Sequence, residues 1–531
     1  MKQNRLDGLL FDIGIFTNLS HDHLDYHNNF RNYLSAKLYL FHNLIKKGGF
    51  VITDPNIQQF QNIKKIAYKK KLKLLTILNK GADLELVSHQ FKNEHQILEI
   101  KEKNKKDIIK LDLNLVGKIQ IKNVLMAVLA ATRSGLDIKS IAKSINKLRP
   151  AEGRLEKVGK LKNNSKVILD YAHTPDALKT ILLNIKEQFP SAKIRLVFGC
   201  GGDRDKEKRS KMGKIASKLA DVIYLTDDNP RNENPKEIRK DIKKGIRNKN
   251  ITEISNRKTA IYDCINDLKS GEIAIIAGKG HEKTQDYNGK RIFLSDRQEI
   301  LKSINFKNKK LFNDFRINLI QEKTNLLNNK LRFNKVSINS KELRKNDIFF
   351  AIKGKNNDGN KFLKEAINKK CSLIITNKIN KKLSKTKQIA VKNTLNFLTE
   401  CASDYRKVIK SNIIGITGSC GKTTLKELLG NSIKKIAKTY FSPKSYNNKF
   451  GVPLSLLNLK QDNKFGIFEV GMDKKGEINF LSKILEPDLG IITNISYAHS
   501  KNFKSIKEIA EAKSDIIENI RPGGILILNE D

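Results

Sequence analysis

Short apolar, β-branched runs alternate along the chain with longer amphipathic stretches, the pattern of α/β units arranged around parallel sheets. Val167–Leu169, Ile194–Phe198, Val222–Thr226 and Ile273–Ala277 are apolar runs, each ending at a turn that contains Gly or Asp and leads into helix-like sequence. Such runs predict strands buried on both faces, as parallel strands are. A further run, Ile413–Ile416, leads through a glycine-rich turn into a helix predicted over Leu425–Ile433. The pattern breaks near Leu148–Gly153, near Phe306–Asn313, where lysine and asparagine crowd together, and near Val408–Asn412. Four segments follow: 1–148, 149–305, 306–408 and 409–531.

The two ends of the chain repeat each other. Thr17-Asn18-Leu19-Ser20 is followed by His23 and Lys37, and Thr493-Asn494-Ile495-Ser496 by His499 and Lys513. The Asn-to-His spacing is five and the His-to-Lys spacing fourteen in both copies. A double glycine then precedes an apolar strand in each: Gly48-Gly49-Phe50-Val51-Ile52-Thr53-Asp54 and Gly523-Gly524-Ile525-Leu526-Ile527-Leu528-Asn529. Packing alone does not hold polar residues in register in this way.

Composition narrows the classes. At 531 residues the chain is long enough for three or four domains of roughly 150 residues each. It is 39% hydrophobic, too apolar for a disordered chain, and no stretch approaches the roughly 18 uninterrupted apolar residues of a membrane span. The N-terminus lacks the pattern of a signal peptide, and five dispersed cysteines without a CxxC pair suggest neither disulfides nor a zinc site, so a reducing cytoplasm is expected. The formal net charge of +46 comes from lysines spread over nearly every segment, which favours small anionic, phosphorylated ligands over nucleic acid.

The sharpest motif is Ile413-Ile414-Gly415-Ile416-Thr417-Gly418-Ser419-Cys420-Gly421-Lys422-Thr423-Thr424. A strand entering a glycine-rich loop that opens a helix aims backbone N–H groups and the positive helix end at phosphates. Lys422 is expected against the β- and γ-phosphates and Thr423 on Mg²⁺, although Ile416 stands where GxxxxGK[ST] has its first glycine. Cys420 reads as a small spacer. Glu469 closes the run Phe468-Glu469-Val470-Gly471, and His499 follows Asn494; strand ends above a phosphate loop are where both can hold Mg²⁺.

These residues resemble the Mur ligases, the ATP-dependent amide ligases that build the peptide stem of peptidoglycan, and they resemble two members in series. Residues 1–305 are similar to the central and C-terminal domains of the diaminopimelate-adding members. The carriers are Phe16–His27, Gly153-Arg154-Leu155-Glu156, Asp170-Tyr171-Ala172-His173-Thr174-Pro175, Gly199–Asp205, Asp228-Asn229-Pro230-Arg231 and Gly278-Lys279-Gly280-His281-Glu282. Residues 306–531 are similar to the N-terminal and partial central domains of the D-alanyl-D-alanine-adding members, through Asn339-Ser340-Lys341, Asp347–Gly354, the phosphate loop, Tyr446–Pro453 and Glu469–Lys513.

The resemblance implies an α/β, multidomain architecture: P-loop ATPase-type central domains with parallel sheets and a Rossmann-like C-terminal ligase domain. It implies that Lys37 and Lys513 are carbamylated and act with Lys422, His23 and His499. A carbamate offers Mg²⁺ the oxygens it prefers, where an ammonium would repel it. Thr423, Glu469, His499, Lys513, His23 and Lys37 are the implied metal residues. Gly418, Ser419, Cys420, Gly421, Lys422, Thr423, Thr424, Asn447, Asn448, Arg154, Asp170 and His173 are the implied ATP residues. Asp228, Asn229, Arg231, Gly278 and Glu282 resemble the diaminopimelate pocket, in which an arginine fork can hold the distal carboxylate that lysine lacks. Asn339, Ser340 and Lys341 fall to the UDP-N-acetylmuramoyl peptide precursor.

The implied reaction makes an acyl phosphate from the precursor carboxylate and ATP. The amine of diaminopimelate or of D-alanyl-D-alanine then displaces phosphate. Neither half matches a whole ligase. A piece of a fused or adjacent ligase pair, a permuted single enzyme, an inactive scaffold that binds precursors or other cell-wall ligases, and a folate polyglutamate synthetase are the alternatives. Asp228-Asn229-Pro230-Arg231 weighs against the last.

Overall fold

A computed structural model describes residues 6, 8–19, 29–92, 94–247, 250–324, 333–354, 357–383, 388–497 and 502–529. The chain divides into two compact units. One comprises Met1–Lys160, Lys166–Leu268 and Glu272–Asn305; the other comprises Leu161–Ser165, Lys269–Gly271 and Phe306–Asp531.

The first unit holds two large sheets. One runs in the order Phe11–Phe16, Ile45–Thr53, Lys73–Leu78, Leu84–Lys92, His95–Glu102, Ile108–Leu113, beginning parallel and finishing as an antiparallel meander. The helix Ile119–Arg133 covers one face, burying Ile121, Val124, Leu125, Val128 and Leu129 against Ile52, Ile77, Leu98 and Leu111. The other sheet has the order Asn250–Glu253, Val222–Leu225, Ile194–Phe198, Ile273–Ala277, Lys166–Asp170, Glu156–Lys160, parallel except for the last pair. The four apolar runs read from the sequence are its central strands, and Lys166–Asp170 and Ile273–Ala277 are buried throughout. Ile273–Ala277, the last strand of this sheet along the chain, lies between two that precede it in sequence. That reversal opens a crevice at the carboxyl ends of the strands, where α/β sheets bind ligands.

In the second unit a four-stranded parallel sheet, Val336–Ser337, Ile348–Phe350, Leu373–Thr376, Gln388–Ala390, precedes a five-stranded one. The latter has the order Thr439–Phe441, Phe465–Glu469, Asn412–Thr417, Leu489–Ile492, Ile525–Leu528, all parallel. The expected α/β architecture with parallel sheets is therefore present. Among the described residues no helix is long and apolar enough to cross a membrane.

The repeat seen in the sequence is a repeat of structure. Phe16 lies opposite Thr53 and Ile492 opposite Leu528, the same register in both copies. The lysine-bearing helices, Phe30–Tyr39 and Ile506–Glu518, are capped at equivalent positions: Asn29 accepts from the Asn32 N–H, and Ser505 from the Glu508 N–H. Different side chains do the same capping work because each supplies one oxygen acceptor.

Candidate active site

The phosphate loop leaves the central strand Asn412–Thr417 and enters the helix Lys422–Lys434. Gly418 has φ +147°, and a Cβ there would lie 1.9 Å from Thr493 Oγ1, so only glycine fits. The loop is strapped down by the second Thr-Asn-x-Ser motif. Asn494 accepts the Ser419 N–H on its carbonyl and the Cys420 N–H on Oδ1, both at 2.9 Å. Thr493 Oγ1 donates to the Cys420 carbonyl at 2.6 Å, and the Ser496 N–H donates to Ser419 Oγ at 2.9 Å. The repeated motif is thus a clamp on the loop, a role its spacing alone does not reveal; Cys420 is exposed in the loop, and the other four cysteines are buried.

Two lysines converge on one carbonyl. Lys422 Nζ donates to the Gly418 and Ser419 carbonyls at 2.6 and 3.0 Å, and Lys513 Nζ reaches the same Gly418 oxygen at 2.8 Å. Lys513 is 1% exposed. Burial, and then the neighbouring Lys422 charge, pull its ammonium down to about 8. Beside them Thr423 Oγ1 donates to Glu469 Oε2 at 2.7 Å, and Asn447 Nδ2 to Oε1 at 2.8 Å. Glu469 ends the strand next to the loop strand, opposite Ile416. Thr424 lies in the first helical turn, whereas Asn448 is spent locally, accepting the Phe450 and Gly451 N–H groups at the start of the helix Gly451–Asn458. A hydroxyl and a carboxylate at a phosphate loop fit Mg²⁺, which takes few protein oxygens and completes its shell with phosphate and water. Among the described residues no group of three or more His, Cys, Asp or Glu could hold a metal.

The first copy is arranged differently. Lys37 is half-buried; its Nζ donates to the Asn18 carbonyl at 3.3 Å and sits 5.1 Å from the centre of the Tyr33 ring. Asn18 is the counterpart of Asn494, whose carbonyl holds the phosphate loop in the second copy. His23 and His499 lie outside the described residues.

In the first unit the remaining residues gather at the carboxyl ends of the Rossmann-like strands. Asp170, at the end of its strand, accepts the Leu155 and Ala172 N–H groups, both at 2.7 Å, and burial raises its carboxyl above the usual range. Arg154 stacks on Tyr171 at 4.7 Å, and the rings of His173 and His281 flank the same tyrosine at 4.7 and 5.3 Å. The Asp228–Arg231 loop is fastened from several sides. Arg231 Nη1 donates to the Gly202 carbonyl at 2.5 Å, and Asn229 Nδ2 donates to Glu282 Oε2 at 2.9 Å. Gln285 Nε2 donates to the Asp228 carbonyl at 2.6 Å, and Tyr287 OH to Asp227 at 2.9 Å. Gly278, at φ +115°, leaves room for Asp228: a Cβ there would stand 2.5 Å from Oδ2, a buried oxygen without a hydrogen-bond partner among the described residues.

Gln285 and Tyr287 belong to the hairpin Thr284–Tyr287/Lys290–Phe293, which is not among the elements read from the sequence. Its signal was present, since Asn288-Gly289 carries the positive φ values, 51° and 78°, of a tight hairpin turn. Tyr171 and Lys279 are also missing from the expected site residues; each stands inside a carrying motif, but only the fold turns it toward Glu282. In the second unit Asn339 caps the short turn Ser340–Glu342 through the Lys341 N–H, and Ser340 donates to Glu365 at 2.6 Å. Those contacts are local, and they bring none of the three residues to the phosphate loop.

The glycine-rich loop thus carries a Thr–Glu pair and a buried lysine, and the first unit carries an Arg-bearing strand end. The model for the Mur ligase middle domain matches residues 1–131 and 416–531, and that for the Mur ligase glutamate ligase domain matches residues 153–280. The chain belongs to the Mur ligase family. A relative from Rickettsia montanensis, named UDP-N-acetylmuramoyl-L-alanyl-D-glutamate--2,6-diaminopimelate ligase, is 38% identical over 305 residues, 57% of this chain and 62% of its own length. A Chelativorans protein of the same name is 37% identical over 304 residues, with coverage of 57% and 62%. Among solved structures, a ligase of that name aligns at 32% identity over 58% of this chain and 62% of its own, with a TM-score of 0.43. MurF from Acinetobacter baumannii aligns at 28% identity over 40% and 48%, with a TM-score of 0.37. The chain spans 62% of the length of these two curated Mur ligase relatives.

Proposed function

We propose that this Mur ligase chain takes part in ATP-dependent amide-bond formation on UDP-N-acetylmuramoyl peptides in the cytoplasm. Segment 149–305 would select meso-diaminopimelate, 306–408 receive a UDP-linked precursor, and 409–531 hold ATP. Segment 1–148 would be a second, partial central domain. The arrangement is that of a diaminopimelate-adding ligase joined to a D-alanyl-D-alanine-adding one. The observation that carries this reading is the pairing of Thr423 with Glu469 beside Lys422 and Lys513 on one loop carbonyl.

The loop N–H groups and the N-terminal end of the helix Lys422–Lys434 bind phosphate oxygens. Lys422 leaves the carbonyls of Gly418 and Ser419 for the γ-phosphate, where its charge opposes the negative charge gathering as the precursor carboxylate attacks. Thr423 and Glu469 would hold Mg²⁺, which supplies further neutralisation of the phosphoryl oxygens when bound. Arg231 would grip the distal carboxylate of diaminopimelate, with Asn229 and Glu282 at its polar end, so that the amine meets the acyl phosphate. The alternative is that the whole chain is an inactive scaffold that binds precursors or other cell-wall ligases.

The test is phosphate release by the full chain with ATP, Mg²⁺, the UDP-dipeptide and diaminopimelate, repeated with the UDP-tripeptide and D-alanyl-D-alanine. Turnover that depends on the amino acid is expected. Retained ATP binding without turnover would leave the scaffold reading standing instead.

A carbamate on Lys513 has its own signature. Only the neutral amine attacks CO₂, and Lys513 is held at about 8 against an ordinary 10.5. At fixed dissolved ¹³CO₂ the carbamate signal is expected to be weak at pH 6, to develop through pH 8, and to vanish in Lys513→Arg. A midpoint above pH 10 would show that the site does not activate this lysine.

A further inference from the structure

Lys279 has no part in the reading above, yet it is the most deeply enclosed cation of the amino-acid crevice, at 0% exposure. Its three ammonium protons meet three acceptors: Asn229 Oδ1 at 2.9 Å, Glu282 Oε2 at 3.0 Å and the Thr284 carbonyl at 2.7 Å. An ammonium has three donors and no acceptor, so the set is closed and the lysine has no proton to offer a ligand. Burying a cation costs much more than burying a hydrocarbon chain of the same length, and a methionine would fill the same volume without that cost.

The geometry shows what the charge does. Asn229 Oδ1 accepts from Lys279 and also from the Asp286 N–H at 3.1 Å, so the amide can point only one way and its Nδ2 goes to Glu282. Glu282 Oε2 lies between Lys279 and that amide, and Oε1 accepts from Tyr171 OH at 3.2 Å. Burial alone would raise the Glu282 carboxyl, but Lys279, Asn229 and Tyr171 outweigh it and hold the carboxyl below its usual value. Its side chain stays 32% exposed and therefore open to a ligand. On the other side Tyr171 carries Arg154 on its ring.

We infer that Lys279 is a positioning residue for amino-acid selection, a closed cationic peg that sets the Asn229 amide and the ionised Glu282 carboxylate to receive an amino acid carrying a second ammonium group. The inference rests on the reading of this crevice as a diaminopimelate pocket. Lys279 touches no ligand itself; it acts through Asn229 and Glu282.

The test uses the full chain with meso-diaminopimelate and, separately, ADP as probes in calorimetry. Lys279→Met is expected to weaken diaminopimelate binding at least tenfold, with ADP affinity and Tm unchanged. Lys279→Arg keeps the charge without the three-acceptor geometry and is expected to fall between. In the background of Glu282→Gln the Lys279→Met change is expected to lose most of its effect, since the residue it orients is already altered. A ligand-free readout accompanies these: the ¹³C shift of the Glu282 carboxyl is expected to titrate at higher pH in Lys279→Met than in the wild type. Diaminopimelate binding equal to wild type, an unchanged Glu282 titration, or loss of fold in both Lys279 variants overturns the inference. A wild-type chain that binds no diaminopimelate, with Glu282 still shifted by Lys279→Met, overturns the substrate reading and leaves the positioning role in place.

Discussion

Lys422→Ala is expected to lower ATP-dependent ligation by roughly a hundred- to a thousand-fold, the loss that follows removal of one preorganised charge from a developing oxyanion. The effect belongs in kcat, since Lys422 is bound to loop carbonyls before phosphate arrives and its gain is realised as charge moves. The substitution also removes a cation that lowers Lys513, so the carbamate signal should move to higher pH in the same variant. Steady-state phosphate release and the carbamate titration check both halves. Unchanged turnover in Lys422→Ala would mean that residues 409–531 do not hold the ATP that is used.

The second large effect concerns stability. Arg257 and Asp296 form a bidentate pair, at 2.8 and 2.7 Å, with essentially no exposure on either side, and Arg257 also holds the Ala277 carbonyl at 2.9 Å. Ala277 immediately precedes Gly278, so the pair anchors the end of the strand that carries Gly278. Arg257→Ala leaves a buried carboxylate uncompensated, and a loss of about 3–5 kcal/mol is expected. That is a large part of the roughly 5–15 kcal/mol that keeps a domain folded. Joint replacement by Arg257→Leu and Asp296→Leu is expected to recover part of it, because neither member of the pair is then left buried alone, although Asp228 loses a neighbouring cation. Urea unfolding followed by circular dichroism measures the difference; an unaltered midpoint in Arg257→Ala would show that the pair contributes little.

Much of the framework is visible along the chain because burial on both faces leaves a mark on neighbouring residues. Ile273–Ala277 is apolar without interruption, Ile194–Phe198 is broken only by Arg195, and both are central parallel strands. The phosphate loop is equally local, since strand, glycines, lysine and helix start follow one another within a dozen positions. The hairpin Thr284–Phe293 escaped because its side chains are mixed polar and apolar and its faces are not uniformly buried, so only its turn carried a signal. Glu282 and Thr284 stand close to Lys279 along the chain, but Asn229, which closes its acceptor set, lies 50 residues away and only the fold brings it there.

The α/β class and the duplicated Thr-Asn-x-Ser unit are legible along the chain, as is the glycine-rich loop expected to meet phosphate, because all three depend on residue types at short, regular spacing. Which copy of the repeat clamps the glycine-rich loop follows from the three-dimensional contacts alone. Lys513 is buried against Gly418, while Lys37, at the matching position, rests on Asn18. The physical reason is that a lysine's charge state and partner are set by what the sheet brings beside it, and in the second copy that neighbour lies 95 residues away along the chain.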